Sequence, residues 1–287
     1  MSRRVALVGS GRGLRVDPDL PLAAPALREA GYAVDCVRWD DAAVDWSAYD
    51  LAVVRSCWDY AWRRTEFLAW AETVPGLRND AAVLRWNTDK TYLQDLERAG
   101  LPVVPTVWDP LTPDELPDAV EWVVKPSVSA GSRDTARWLD PLAALGHAAE
   151  LAGAGRTAMV QPYLTDVDVA GETALLFVGG RLSHAVRTGP QLARGEGVRK
   201  DRDSRGDLRP VAATREQRDV AQAVADAVPS LVPGAAPLLY ARIDLVADAT
   251  GAPVVLELEL TEPSLFLPQA PAEALPRLVR AVGDAIG

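Results

Sequence analysis

The sequence predicts a mixed α/β and α+β fold, a parallel α/β unit followed by antiparallel lobes, and three observations carry that expectation. Over roughly the first quarter of the chain, short apolar runs alternate with helical stretches, the pattern of a parallel sheet with crossovers. From Gly171 onward, consecutive strands meet through tight Gly-containing turns. Near the C-terminus two alternating runs, Tyr240 to Val246 and Val254 to Leu260, flank the turn-like Asp248-Ala-Thr-Gly251, which reads as a hairpin.

Val5 to Val8 reads as a buried first strand, followed by a Gly/Asp/Pro loop and a helix from about Leu22 to Ala30 that Gly31 stops. Ala33 to Val37 is the next strand, and Leu51 to Val54 the third, running into Arg55-Ser-Cys-Trp-Asp-Tyr60 before a helix over Arg64 to Thr73. Ligands of such units sit at the C-terminal strand ends, where Arg55, Ser56 and Asp59 fall. Gly9-Ser-Gly-Arg-Gly13 is a weak dinucleotide fingerprint. Its last glycine comes too early, and Pro18, Pro21 and Pro25 crowd the start of the crossover helix, so a plain glycine loop is the better reading.

Asn87 predicts an N-cap for a helix to about Ala99, stopped by Gly100-Leu-Pro102, with Val103 to Val107 as an edge-like strand. Trp122 to Pro126 is a strand ending on Lys125, directly before the small-residue loop Ser127 to Ser132. A polar strand over Thr135 to Leu139, a helix over Leu142 to Ala152 and a strand over Ala158 to Gln161 follow. Gly171 to Val178 and Arg181 to Arg187 form an antiparallel pair. Thr188 to Pro210 lacks apolar periodicity and is expected to be a mobile loop. A helix over Arg215 to Ala227 precedes the acidic hairpin, and a final helix ends the sequence.

A length of 287 residues suffices for two or three lobes. Thirty Lys and Arg against forty Asp and Glu give a net charge of −10, which argues against general nucleic-acid binding. Cys36 and Cys57 are the two cysteines, and the sequence shows neither a signal-peptide core nor an apolar run of bilayer length. The expectation is a soluble, cytoplasmic protein that binds neither membrane nor nucleic acid; a homo-oligomer is compatible with it. With His147 and His184 the only histidines, triad chemistry and a His-rich zinc site are disfavoured.

Period 2 puts Arg242 and Asp244 on one face of the first hairpin strand and Glu257 and Glu259 on one face of the second. If Asp248 pairs with Gly251, Arg242 falls opposite Glu257 and Asp244 opposite Val255, with all four charges on one side. Carboxylates that close raise each other's pKa unless a cation joins them, and hard oxygen ligands suit magnesium shared with phosphates. A solvated face of an antiparallel pair is the plainer alternative. Lys125 adds weight to the first reading, since it stands at a strand end against a loop of Ser, Ala and Gly whose backbone N–H groups could wrap phosphate oxygens. Cys57 reads as a packed small residue rather than a reactive thiol.

In this order, Lys90, Lys125 with its loop, Gln161-Pro-Tyr163, Gly171-Glu172, Arg187, Arg242, Asp244 and the E-x-E pair resemble the ATP-grasp superfamily over nearly the whole chain. Arg55-Ser-x-Trp-Asp-Tyr60, Arg85-Trp-Asn-x-Asp-Lys90, Arg242-Ile-Asp244 and Glu257-Leu-Glu-Leu-Thr-Glu-Pro-Ser-Leu-Phe266 resemble its glutathione-synthetase-like branch that contains the cyclo-ligase making D-cycloserine from O-ureido-D-serine. One departure is Glu257-Leu-Glu259 where the superfamily usually has E-x-N; the carboxylate still offers a hard oxygen.

The resemblance implies a Rossmann-like pre-ATP-grasp domain over residues 1–85, a small lobe over 86–164 and a C-terminal lobe over 165–287. It implies ATP and Mg2+ as cofactors and a small amino-acid-like substrate. Lys90 and Lys125 would be the nucleotide lysines, with Ser127, Ser129, Gly131 and Ser132 in the loop over the phosphates. Gln161, Pro162, Tyr163 and Leu164 would read adenine, and Asp168 or Glu172 the ribose. Asp244, Glu257 and Glu259 would hold magnesium, Arg187 would add phosphate charge, and Arg242 would stabilise the transition state or acylphosphate. Arg55, Ser56, Asp59 and Ser264 are expected to bind the substrate, because an arginine can fork a carboxylate and an aspartate can hold an ammonium; for Arg55 an interdomain salt bridge is the alternative.

The expected function is an ATP- and Mg-dependent ligase that forms an amide-type C–N bond through an acylphosphate, by ring closure or between two substrates. A Rossmann-type oxidoreductase using Gly9 to Gly13, or a nucleotide-binding module without turnover, is the alternative from another class. Neither explains the lysines and the acidic hairpin together.

Overall fold

The computed structural model describes residues 2–200 and 207–287. The chain opens with β1 (Arg4–Gly9), the short helix α1 (Gly13–Val16), α2 (Leu20–Glu29), β2 (Ala33–Arg38), β3 (Leu51–Ser56), α3 (Tyr60–Thr73) and β4 (Leu77–Arg78). These strands form a parallel sheet in the order β2-β1-β3-β4. Both faces of β1 are apolar because both are covered. Val5 and Leu7 meet Leu20, Ala23 and Leu27 of α2, while Ala6 and Val8 meet Phe67, Leu68 and Ala71 of α3.

The glycine loop after β1 is a packing device. Ser10 lays its backbone N–H and its hydroxyl on the Ser56 carbonyl at 3.0 and 3.1 Å. A Cβ on Gly13 would stand 1.9 Å from that same oxygen, so only glycine permits the contact.

Next come α4 (Ala81–Asn87) and α5 (Tyr92–Arg98), where the sequence predicts one helix from Asn87. Asp80 is the cap, its carboxylate accepting from Val83 N. Asn87 ends α4 because its side chain is spent elsewhere: it donates to Leu258 O and accepts from the amides of Leu260 and Thr261. The break between the helices carries Lys90, whose amide donates to Ser127 O at 2.9 Å.

Strands β5 (Val107–Trp108), β6 (Trp122–Pro126) and β7 (Ala136–Trp138), helix α6 (Pro141–Gly153) and strand β8 (Ala158–Pro162) form the second unit. Its antiparallel sheet runs β5-β8-β6-β7, with α6 on the core of Trp122, Val124 and Val160. The expected strand at Val103 is one bridge to Val255, and the ladder begins only at Val107.

The short helix α7 (Val167–Ala170) leads into β9 (Glu172–Val178), β10 (Arg181–Thr188), β11 (Arg209–Val211), α8 (Arg215–Leu231), β12 (Tyr240–Ala247), β13 (Pro253–Glu259) and α9 (Ala274–Ile286). The third sheet is antiparallel, in the order β11-β10-β9-β12-β13. Leu175, Phe177, Ile243 and Leu245 bury one face against α5 and α8, through Leu93, Leu96, Val224 and Val228. Helix α9 returns to lie on α2 and the first sheet through Leu278, Ala281 and Val282.

Of the loop expected over Thr188 to Pro210, residues 201–206 lie outside the described residues. Its end is corrected by β11, in which Arg209 and Pro210 pair with β10. Its earlier part is tied down: Arg199 N donates to Thr135 O at 3.0 Å and Asp134 N to Arg199 O at 2.8 Å.

Candidate active site

A cavity of about 260 Å³ opens among the three sheets. One end is an apolar slot of Val104, Val123, Val167, Leu192, Val246 and Leu256 beside Gln161 to Leu164. The middle carries Lys90, Lys125, Glu172, Arg242, Asp244, Glu257 and Glu259, with Ser129, Gly131 and Ser132 of the small-residue loop. At the other end lie Trp58, Tyr60, Asn87, Glu262, Ser264 and Phe266.

The β12/β13 hairpin orders the charges through a bulge that the sequence reading lacks. Asp248 faces Ala252 rather than Gly251, its N–H on the Ala252 carbonyl at 2.9 Å, and Leu245 pairs with Val255. Continued without interruption, that register would set Asp244 opposite Leu256 and turn Glu257 and Glu259 to the other face. The register shifts after Asp244, so Glu257 comes opposite Asp244 and Glu259 opposite Arg242. An extra residue in one strand re-aims the side chains beyond it. The expected pairing of Arg242 with Glu257 is thereby corrected, while the shared face survives.

Arg242 forks Asp244, Nε to Oδ1 at 2.9 Å and Nη2 to Oδ2 at 2.8 Å, and Nη2 also donates to Glu259. Lys90 Nζ stands 3.2 Å from Glu257 Oε1 and donates to Ser129 O at 3.1 Å. The Lys125 ammonium makes no hydrogen bond or ion pair among the described residues, and burial lowers its pKa against the pull of Glu257. One oxygen from each of Asp244, Glu257 and Glu259 lies within 4.8 Å of the others. All-oxygen donors of this kind suit a hard divalent cation.

The carboxylates respond to burial in different ways. Burial, then Asp244 and Glu257, push Glu172 up to about 8. Burial also lifts Glu259 to about 7, with Glu257 and Asp244 adding to the rise and Arg242 opposing it. Glu257 is the exception: burial would raise it, but Lys90, Lys125 and Arg242 together hold it below the usual range. Burial likewise pushes the Cys57 thiol well up, in keeping with an inert packed cysteine.

Most of the residues expected at the site line the cavity, but six do not. Arg55 is buried, paired with Asp19 at 3.2 Å and donating to Pro263 O at 2.9 Å, so it ties elements together instead of forking a substrate. Ser56 is sealed under the glycine loop. Asp59 accepts from Trp39 Nε1 at 3.0 Å. Asp168 accepts from Arg137 at 3.0 Å and faces a separate hollow with Glu121 and Arg194, which leaves Glu172 as the one of the two that lines the cavity. Ser127 is committed to backbone pairing with Lys90 and Thr157. Arg187 donates to Val169 O, and its neighbour Thr188 lines the cavity in its place.

The sequence reading missed Trp58, Tyr60, Asn87, Glu262 and Phe266 as site residues. Each lies inside a motif that it singled out, but period-2 logic applies only within strands, and these residues lie on irregular backbone or helix ends.

A family model described as "D-cycloserine synthetase DcsG, N-terminal domain" matches residues 5–80. The Cycloserine biosynthesis protein DcsG of Streptomyces lavendulae is 38% identical over 285 residues, covering 92% of each chain. The chain belongs to the DcsG family of ATP-grasp ligases.

The crystal structure of D-cycloserine synthetase DcsG superposes with a TM-score of 0.90 at 34% identity, covering 99% of this chain and 100% of that one. D-alanine–D-alanine ligase from Bacillus anthracis (TM-score 0.65, 16% identity, 99% and 96% covered) and the ATP-grasp ligase PsnB (0.64, 17%, 99% and 100%) share the fold. This DcsG-family chain is thus an ATP-dependent ligase with the ATP-grasp architecture. Among the described residues no helix is long and apolar enough to cross a membrane.

Two outcomes follow from the charges. Lys125→Ala should weaken ATP binding by about tenfold or more while leaving the circular dichroism spectrum unchanged; titration calorimetry checks this, and unchanged affinity would remove the phosphate role. Glu172 is protonated more readily folded than unfolded, so the ligand-free protein should lose stability as pH rises from 4.5 to about 8. Glu172→Gln should flatten that decline in melting temperature.

Proposed function

We propose that this ligase cyclises O-ureido-D-serine to D-cycloserine, activating the substrate carboxyl with ATP and closing the ring within one molecule. The observation that carries the reading is the site itself: one cavity joins an apolar slot that fits adenine, a charged centre and a wall of Trp58, Tyr60, Glu262, Ser264 and Phe266. Identity to D-cycloserine synthetase along the whole chain supports it.

The chain's own residues account for the steps. The apolar slot takes adenine, and Lys90 and Lys125 take phosphate charge. Lys90 must leave Glu257 to do so, which frees that carboxylate. Asp244, Glu257 and Glu259 would then hold magnesium; when bound, the ion neutralises phosphate charge that the lysines leave uncompensated. The substrate carboxylate attacks the γ-phosphorus and ADP leaves. Arg242, fixed by Asp244 and Glu259, faces the acylphosphate so formed. The substrate nitrogen bonded to oxygen then attacks the acyl carbon, losing its proton as phosphate departs, and one water cleaves the carbamoyl group from that nitrogen as carbamic acid, which breaks down to carbon dioxide and ammonia. Ring closure needs the two ends of one small molecule held together and no second amine.

Incubation with Mg-ATP and O-ureido-D-serine should yield ADP, phosphate and cycloserine in equal amounts. If ADP formed only after a free amine was added, ring closure would give way to intermolecular ligation. Glu257→Gln should lower the Mg-dependent rate by about a hundredfold or more at saturating ATP, and near-normal turnover would take Glu257 out of the metal set.

A further inference from the structure

Residues Thr261 to Phe266 are buried throughout yet belong to no strand or helix. Buried backbone groups need partners. Here side chains from distant parts of the chain supply them. Asn87 accepts from Thr261 N at 3.1 Å, and Tyr240 donates its hydroxyl to Thr261 O at 3.0 Å. His184 Nε2 meets Leu265 O at 2.9 Å.

The densest of these attachments comes from Asp19 and Arg55, whose side chains are 0% and 2% exposed. Asp19 Oδ2 accepts from Leu265 N at 2.6 Å and Oδ1 from Leu267 N at 2.8 Å. Arg55 Nη2 bonds both Asp19 and Pro263 O. The two amides on Asp19 flank Phe266, which is held left-handed at φ 51°. That conformation is uncommon for a bulky residue and persists only where its surroundings over-determine it. The Phe266 ring centroid lies 5.2 Å from the Arg242 guanidinium carbon, and Glu262, Ser264 and Phe266 all line the cavity.

We propose that Asp19 and Arg55 are positioning residues for the amino-acid end of the site. Neither lines the cavity; they act through the backbone that presents Glu262, Ser264 and Phe266. This inference rests on the ligase reading above and adds to it a specific dependence: the pair governs the amino-acid substrate and leaves the nucleotide end alone. The slot, the lysines and the small-residue loop make no bond to either residue among the described residues.

Asp19→Asn keeps the shape but offers a single carbonyl oxygen to two amides and leaves the Arg55 charge uncompensated. Arg55→Lys keeps the charge but ends short of the Nη2 position that reaches both Asp19 and Pro263 O, and it carries the test alone if Asp19→Asn fails to fold. KM for O-ureido-D-serine should rise about tenfold in either variant, since small displacements of a positioning group cost rate steeply, while KM for Mg-ATP stays within about twofold. Hydrogen–deuterium exchange should accelerate in peptides spanning residues 260–268 and stay unchanged over 125–135. A parallel rise in both KM values, or unaltered exchange over 260–268, would overturn the proposal. Failure of the wild-type protein to turn over O-ureido-D-serine would instead overturn the reaction assigned above, and the exchange measurement would still decide the positioning role.

Discussion

Burial of charge at the centre of the cavity is the constraint on which the rest of the molecule depends. Asp244, Glu257, Glu259 and Glu172 stand together on adjacent strands, where isolated carboxylates would be too costly to hold ionised. The protein balances them with Lys90, Lys125 and Arg242, each delivered by a different element. Lys90 comes from the break between two helices, Lys125 from a strand end of the second sheet and Arg242 from the hairpin itself. The lobes must therefore meet at one place, and a ligand that takes the lysines must leave the carboxylates in need of another cation.

Holding that meeting point falls to side chains more than to sheet ladders. Beyond β13 the chain leaves regular pairing, and Asn79, Asn87, Tyr240, Asp19, Arg55 and His184 satisfy its amides and carbonyls. Such contacts fix one arrangement, because each donor or acceptor left unmatched in the interior costs about 1–3 kcal/mol. The first unit thus reaches the backbone beyond β13 through Asp19, before α2, and Arg55 of β3, while also placing Trp58 and Tyr60 in the cavity wall.

How much of this was legible depends on how local the signal is. Strands β1, β3, β9, β10 and β12 announce themselves by apolar runs or alternation; Lys125 and the hairpin acids follow from a strand end and period 2, whereas Lys90 stands out only through the family resemblance. The bulge after Asp244 leaves no mark on the alternation, because one inserted residue and one shifted turn restore the same parity. Asn87 reads as a cap in sequence, since Asn is a good N-cap; that it clamps residues about 170 positions away is a tertiary fact. Arg55 looked like a substrate fork for the same reason: its position at a strand end is local, whereas its partner Asp19 lies on a different element. Most of the missed groups act through irregular backbone, where no periodicity exists to read.

The bonding of Arg242 gives the E-x-E departure a physical reason. Arg242 donates to Asp244 on its own strand and to Glu259 on the facing one. An asparagine at 259 would leave Arg242 with Asp244 as its one carboxylate partner. A glutamate there keeps Arg242 bonded on both sides. The added acid therefore does two things at once: it adds an oxygen to the cluster formed with Asp244 and Glu257, and it fixes the orientation of the Arg242 guanidinium.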